Sequence, residues 1–282
     1  MPSPSPSWVA LRVATPVELA DTVANFLLEE GAPGVVSDEG GLESALPASR
    51  LAALERWLAS LAELDPRAED VRVATAPLAD VDWMTLAREH HRPVAVGRRL
   101  LVAPPWDVPA AAGREVLVIE PGMAFGTGQH ATTRGCLEAL ETAVAGGRIR
   151  SALDVGTGSG ILALALLRLG VERVVALDTD PAVLPVARAN LTRNGAGRVA
   201  LVGGPLGALR ARFDLVVANL VATTIVADAS ALAGAVAAGG RLILSGLLDG
   251  QTRVVEEAYT GWRVAETRAE DEWCTLTLER DA

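Results

Sequence analysis

The sequence predicts an α/β protein built on a mostly parallel sheet with its last strand antiparallel, behind a small ferredoxin-like α+β domain. Three observations carry this reading. From Glu115 onward, short apolar strands alternate with helical stretches. The strand Ser151 to Val155 runs straight into Gly156-Thr157-Gly158-Ser159-Gly160 and then an apolar helix. The first 76 residues follow the order βαββαβ.

Trp8 to Ala14 has the composition of a strand. Pro16 to Glu30 carries Val17, Ala20, Val23, Ala24, Leu27 and Leu28 at helical spacing, with Thr15 and Glu18 placed as a capping box and Gly31 as the stop. Gly34 to Ser37 is a short second strand, and Leu42 to Leu46 the weakest strand signal of the four. Ala48 to Leu64 is a helix with Leu51, Leu54, Leu58 and Leu61 on one face, and Asp70 to Ala76 closes the unit. A proline-rich connector fills 77–113, with a helix near Val81 to His91 and a hairpin-like run from Val94 to Val102. The larger domain spans 114–282. Its strands are expected at Glu115 to Ile119, Ser151 to Val155, Arg173 to Leu177, Val199 to Val202, Phe213 to Ala218 and Gly240 to Leu244. Trp262 to Thr267 and Trp273 to Leu278 lie too close together for a parallel crossover, so the final strand pairs antiparallel.

Composition narrows the function classes. No uncharged run exceeds 13 residues, too short for a helical membrane span of ~20. Met1 to Ser7 has neither the basic nor the apolar region of a signal peptide, which points to the cytosol. Cys136 and Cys274 cannot form a disulfide framework, and a single bridge stays open. All 25 basic residues are arginine, which excludes a Schiff-base lysine, a P-loop lysine and a lysine general base. The net charge is −10, and residues 1–80 hold 13 acids against 5 arginines. An acidic surface steers basic partners and repels nucleic-acid phosphates.

Strand, glycine-rich turn and helix together form a nucleotide-cofactor architecture, because backbone approaches the ligand closely and a helix N-terminus supplies free N–H groups. Two patterns fit: GxGxxA through Gly158, Gly160 and Ala163, and DxGxGxG from Asp154 through Gly156, Gly158 and Gly160. Asp178 ends the next strand, where a carboxylate accepts from ribose hydroxyls; a helix N-cap is its structural alternative, which suits Asp180 better. Asn219-Leu220-Val221-Ala222 follows the strand that neighbours the first one in a doubly wound sheet. There the Asn219 amide oxygen and the Leu220 carbonyl can each accept an N–H from an amine and aim its lone pair at a methyl donor. Capping the next helix is the structural alternative for Asn219. Pro121 to Thr133, PGMAFGTGQHATT, is glycine-rich and nearly uncharged, and can fold over a ligand.

This segment, with LDVGTGSGILALAL, LDTDP, ARANLTRNG, VVANLVA and LSGLL, resembles the ribosomal protein L11 methyltransferase family. Asp82-Trp83, Val96 to Leu100, Pro104 to Trp106 and Asp271 to Trp273 extend the likeness over nearly the whole chain. The resemblance implies a Rossmann-like class I methyltransferase domain with a seven-stranded sheet, using S-adenosylmethionine, behind a substrate-recognition domain. It implies trimethylation of lysine side chains and of an N-terminal α-amine on one basic large-subunit ribosomal protein. By motif position the cofactor contacts fall to Thr133, Gly156, Gly158, Asp178 and Asn219. Phe125, Gly126 and Thr127 lie beside the cofactor or the substrate's approach, and Asn219 and Leu220 are the catalytic acceptors. Ala131, Thr157, the Leu-Val of NLVA, Ala87 and His91 depart from the usual pattern.

His90, His91, His130, Cys136 and Cys274 show no metal-ligand spacing, and Ser159 is not at the centre of a G-x-S-x-G elbow. A methyltransferase of nucleic-acid bases is disfavoured because no aromatic follows Asn219 to stack on a flipped base. Another amine substrate and a nicotinamide-dependent oxidoreductase, resting on GxGxxA, remain the alternatives. A monomer with no membrane and no direct nucleic-acid contact is expected.

Overall fold

The computed structural model describes residues 8–32, 34–38, 41–77, 91–121 and 125–280. The expected helix near Val81 to His91 falls outside them as far as residue 90, as do Asp82-Trp83 and the Gly122 to Ala124 part of the glycine-rich loop. The chain divides into two compact units, Met1–Leu86 and Ala87–Ala282.

In the first unit β1 (Trp8–Ala14), α1 (Val17–Glu29), β2 (Val35–Asp38), β3 (Gly41–Pro47), α2 (Leu51–Leu64) and β4 (Arg72–Pro77) give the βαββαβ order. The sheet runs β2-β3-β1-β4 with every neighbour antiparallel. β3, the weakest strand in the sequence, is interior. Its inward positions are Leu42, Ser44 and Leu46, and the polar middle residue interrupts the apolar alternation; Ser44 Oγ donates to Gly34 O at 2.7 Å. Helix α1 closes after Glu30 with Ala32 N–H on Leu27 O at 2.9 Å, the bond that a left-handed Gly31 permits. Leu19, Val23, Leu27, Leu42, Leu46 and Leu54 form the core, and Phe26 stacks on Trp57 with ring centroids 4.1 Å apart.

The second unit holds two sheets. β5 (Val94–Val96) and β6 (Leu100–Ala103) make the expected hairpin, and β7 (Glu115–Val118) pairs parallel with β6. This corrects the sequence reading at one strand. Glu115 to Val118 does not open the large sheet but belongs to this separate three-stranded one. Strand alternation shows where a strand begins and ends, not which strand it joins. Glu141 holds the hairpin turn by accepting N–H bonds from Arg98 and Arg99. Val96, Leu100, Val102 and Leu117 enter the main core, so the chain from 91 onward is part of this unit's packing.

The large sheet consists of β8 (Ser151–Val155), β9 (Arg173–Asp178), β10 (Ala200–Gly203), β11 (Phe213–Asn219), β12 (Val236–Leu248), β13 (Trp262–Glu270) and β14 (Trp273–Arg280). Their spatial order is β10-β9-β8-β11-β12-β14-β13. The first five are parallel, and β14 is antiparallel to both its neighbours. β12 extends well beyond the expected Gly240 to Leu244. Helices α3 (Ala131–Val144), α4 (Ile161–Arg168) and α5 (Leu184–Arg193) share one face with Ala152, Leu215, Val217 and Ile243. Helices α6 (Ala222–Ala227), α7 (Ala229–Gly234) and α8 (Thr252–Ala258) share the other with Leu153, Val216, Ala218 and Leu244. Consecutive residues of β11 thus feed opposite cores, the period-two signature of a strand buried on both faces. Strand order reverses between β8 and β11, and a doubly wound sheet opens its ligand crevice at the carboxyl ends of such a pair.

Candidate active site

The turn after β8 is anchored first by backbone. Gly156 and Thr157 donate to Leu177 O at 2.8 and 3.0 Å, tying the turn to β9. Gly158 N–H donates to Asp178 Oδ2 at 3.0 Å, while Asp178 Oδ1 accepts from Asp180 N at 3.0 Å. Asp180 in turn accepts from Ala182 N at 2.8 Å, and α5 starts at Leu184 rather than at Pro181. Asp178 therefore braces the turn and does not cap the helix. Glycine is required at 158, where φ is +51° and an added Cβ would sit 2.7 Å from Phe125 O. A Cβ at Gly156 would meet Leu220 Cδ2 at 2.5 Å. The turn is thus in direct contact with Phe125 of the glycine-rich loop and with Leu220.

Beneath the turn lies Asp154, fully buried at the end of β8. Burial pushes its carboxyl up to about 7, against the Thr157 hydroxyl (2.7 Å) and the Ala163 N–H (3.1 Å) that favour the charged form; the nearby Asp178 charge pushes it up further. Two buried polar atoms here have no hydrogen-bond partner among the described residues, Asp154 Oδ1 and Thr133 Oγ1.

The Asn219 amide stands at the end of β11. Its Nδ2 donates to Thr132 Oγ1 at 3.2 Å. Thr132 Oγ1 lies 2.8 Å from His130 Nδ1, which also accepts from Thr132 N–H at 3.3 Å and so N-caps α3. Val221, not Asn219, occupies the N-cap of α6, so the capping alternative for Asn219 does not hold. Leu220 N–H donates to Ser245 O at 3.0 Å. Gly246, at φ +87°, faces both acceptors, and a Cβ there would lie 2.3 Å from Leu220 O and 3.2 Å from Asn219 Oδ1. The β12–β14 register shifts at this residue, a bulge that re-aims the chain beside the crevice. Ser245 Oγ bonds Thr132 O (3.2 Å) and Thr275 Oγ1 (2.7 Å), which fixes the start of α3 against β12 and β14.

The structure brings Thr133, Gly156, Gly158, Asp178, Asn219, Leu220, Phe125 and Gly126 to the crevice end of the sheet. Thr127 lines a narrow cleft with His91, Val102 and Gln129. Thr132, His130, Gly246 and Ser159 were not singled out for the site from sequence, although the motif strings contain all four. An aromatic row also stands here. His130 packs edge-on against Phe125 (5.3 Å) and Trp273 (5.0 Å), so the lack of an aromatic after Asn219 in sequence does not describe the site. Cys136 and Cys274 are free thiols, both buried. Among the described residues no cluster of His, Cys, Asp and Glu could hold a metal ion.

The family model for ribosomal protein L11 methyltransferase (PrmA) matches residues 7–281. The chain belongs to that family. A ribosomal protein L11 methyltransferase of Pelotomaculum thermopropionicum is 39% identical, with 98% of this chain and 99% of the relative covered. One from Geobacter sulfurreducens is 38% identical over 97% and 98% of the two chains. Among solved structures, the ribosomal protein L11 methylase of Lactobacillus delbrueckii subsp. bulgaricus superposes with a TM-score of 0.64 at 29% identity, over 68% of this chain and all of that one. The family is one of S-adenosylmethionine-dependent methyltransferases, and S-adenosylmethionine is the cofactor. The crevice fits it. Thr133 Oγ1 and Asp154 Oδ1 are buried polar atoms that still require partners, and the turn presents its backbone beside an acid suited to a ribose.

Proposed function

We propose that this protein transfers methyl groups from S-adenosylmethionine to lysine ε-amines and the N-terminal α-amine of ribosomal protein L11, up to the trimethylated state. One observation carries the chemistry: Thr132 takes the donor end of the Asn219 amide, which leaves Oδ1 to accept. The bound cofactor supplies a methyl group on a sulfonium. Thr133, Gly156, Gly158, Asp178 and Asn219 hold it, with Phe125, Gly126 and Thr127 beside it. In the first transfer Asn219 Oδ1 and Leu220 O each accept an N–H from the neutral primary amine, so that its lone pair points at the methyl carbon; the ammonium product gives a proton to solvent before the next transfer, and each round leaves one N–H fewer for these acceptors. No side chain need act as a strong base in that step. Gly246 keeps the space beside both acceptors clear.

The first unit, with the acidic surplus of residues 1–80, is read as the recognition domain for the basic substrate. The division proposed is 1–76 for recognition, 77–113 as connector, whose β5–β6 hairpin packs into the second unit's core, and 114–282 for methyl transfer. The protein is read as a cytoplasmic monomer that does not bind nucleic acid directly. Among the described residues no helix is long and apolar enough to cross a membrane.

Mass spectrometry of purified L11 after incubation with enzyme and cofactor tests the proposal. Mono-, di- and trimethylated lysine and α-amine are expected. L11 of unchanged mass, beside an enzyme that binds S-adenosylhomocysteine, would refute the substrate assignment.

A further inference from the structure

We infer that Ser159 is a positioning residue of the transfer site, a latch that seats the Phe125-bearing loop on the cofactor turn; the inference rests on the methyl-transfer reading above. Ser159 is 1% exposed, and its hydrogen-bonding groups are occupied by protein. Its N–H donates to Phe125 O at 3.0 Å. Its hydroxyl donates to Gly126 O at 2.6 Å. Its carbonyl accepts Asn190 Nδ2 at 2.9 Å, and Asn190 Oδ1 accepts the N–H of Glu120 at 3.1 Å. Residue 120 is thus tied through Asn190, and residues 125 and 126 directly, to one residue of the glycine turn. The contact is close-packed: an added Cβ at Gly126 would meet Ser159 Oγ at 2.8 Å.

The geometry assigns the hydroxyl to the loop rather than to the cofactor or to nucleophilic chemistry. Its proton goes to Gly126 O, and its remaining contact is the Ile161 N–H at 3.4 Å. The loop it holds presents Phe125 to solvent, 56% exposed, edge-on to His130, whose Nδ1 meets the Thr132 hydroxyl that orients Asn219. Fixing residues 125 and 126 therefore fixes an apolar side chain that touches Asn219 through His130 and Thr132. Without the hydroxyl, Gly126 O loses its buried donor and the loop gains a second set of positions.

The test uses the full chain with Ser159→Ala and the near-isosteric, weaker donor Ser159→Cys. The first readout needs neither substrate nor cofactor: amide hydrogen exchange of peptides covering residues 125–133. In Ser159→Ala it should accelerate about tenfold, the equivalent of one lost buried hydrogen bond, with β8 and β11 unchanged. In steady state the KM for L11 should rise about 5- to 20-fold while S-adenosylhomocysteine affinity stays within about twofold. Ser159→Cys should show smaller shifts in the same order, and it stands in if the alanine variant fails to fold. Uniformly faster exchange across the fold would make Ser159 merely structural and overturn the assignment. So would a loss of S-adenosylhomocysteine affinity equal to the rise in KM. A wild-type protein that leaves L11 unmethylated sinks the methyl-transfer reading instead, and the exchange measurement still decides the latch.

Discussion

Asn219 Nδ2 donates to Thr132 Oγ1 across 3.2 Å, between residues 87 positions apart. The contact fixes which end of the amide is free. His130 Nδ1 takes the N–H of Thr132 and lies 2.8 Å from the Thr132 hydroxyl, whose oxygen accepts the Asn219 N–H. One N–H of the amide is thereby taken, and its oxygen lies on the side of Gly246. Thr132→Val keeps the shape and removes the hydroxyl. The turnover number should fall ~10- to 100-fold, with S-adenosylhomocysteine affinity within about twofold, and Thr132→Ser should restore most of it. Calorimetric titration beside single-turnover methylation checks this; an unimpaired valine variant would mean the amide needs no orienting partner.

Asp178 has two duties. It accepts the Gly158 N–H from the turn, and in the proposed function it also accepts from the ribose hydroxyls of the cofactor. Asp178→Ala should weaken cofactor binding by ~1–3 kcal/mol. Asp178→Asn, which keeps an acceptor for Gly158, should lose less. Equilibrium binding of S-adenosylhomocysteine decides; unchanged affinity in the alanine variant removes Asp178 from the cofactor site.

Much of this site was legible in the sequence because its signals are local. A strand running into DVGTGSG, an acid ending the next strand and an asparagine ending a third are each readable within a dozen residues, and the fold places all three at one end of the sheet. The partnership of Thr132 with Asn219 was not legible, since nothing in a string links residues so far apart. Gly246 was hidden in the same way: its requirement comes from Leu220 O, which belongs to the neighbouring strand's loop. The strand at Glu115 to Val118 was found but assigned to the wrong sheet, because alternation carries no pairing information. Asn190 and Asn194, quoted only as part of ARANLTRNG, hold this strand's exit by bonds to Glu120 N and to both backbone groups of Val118.

Asp154 makes stability depend on pH. An unfolded aspartate loses its proton near its ordinary value of 3.8, whereas burial keeps the folded one protonated up to about 7. Between those values the unfolded state binds fewer protons, so this residue's contribution to stability falls as pH rises, and it levels off above about 7. The slope is at most ~1.4 kcal/mol per pH unit. Asp154→Asn lacks the effect, so its stability relative to the parent should climb from about pH 5 to about pH 7 and then stay flat. Denaturant unfolding of both proteins at several pH values measures this, and a variant-minus-parent difference that is constant or that falls as pH rises would contradict it.

The acidic first unit should act on encounter. Arg12, Arg50 and Arg67 are each paired with Glu43, Glu30 and Asp65, so the unit's remaining acids dominate its field. The association rate with basic L11 should fall as salt shortens the screening length from ~10 Å at 0.1 M towards ~3 Å at 1 M, with the dissociation rate little changed. Stopped-flow binding over a salt series tests this, and a salt-independent association rate ends the electrostatic role.

The central claim is that the Asn219 amide aims the accepting amine, while the donor is held mainly by the other residues of the crevice. Asn219→Ala separates these functions most directly, in paired measurements of single-turnover methyl transfer to L11 and of S-adenosylhomocysteine affinity. Transfer is predicted to drop ~100-fold or more while cofactor affinity loses less than about tenfold. Equal losses in both quantities would reduce Asn219 to a cofactor ligand and contradict the account.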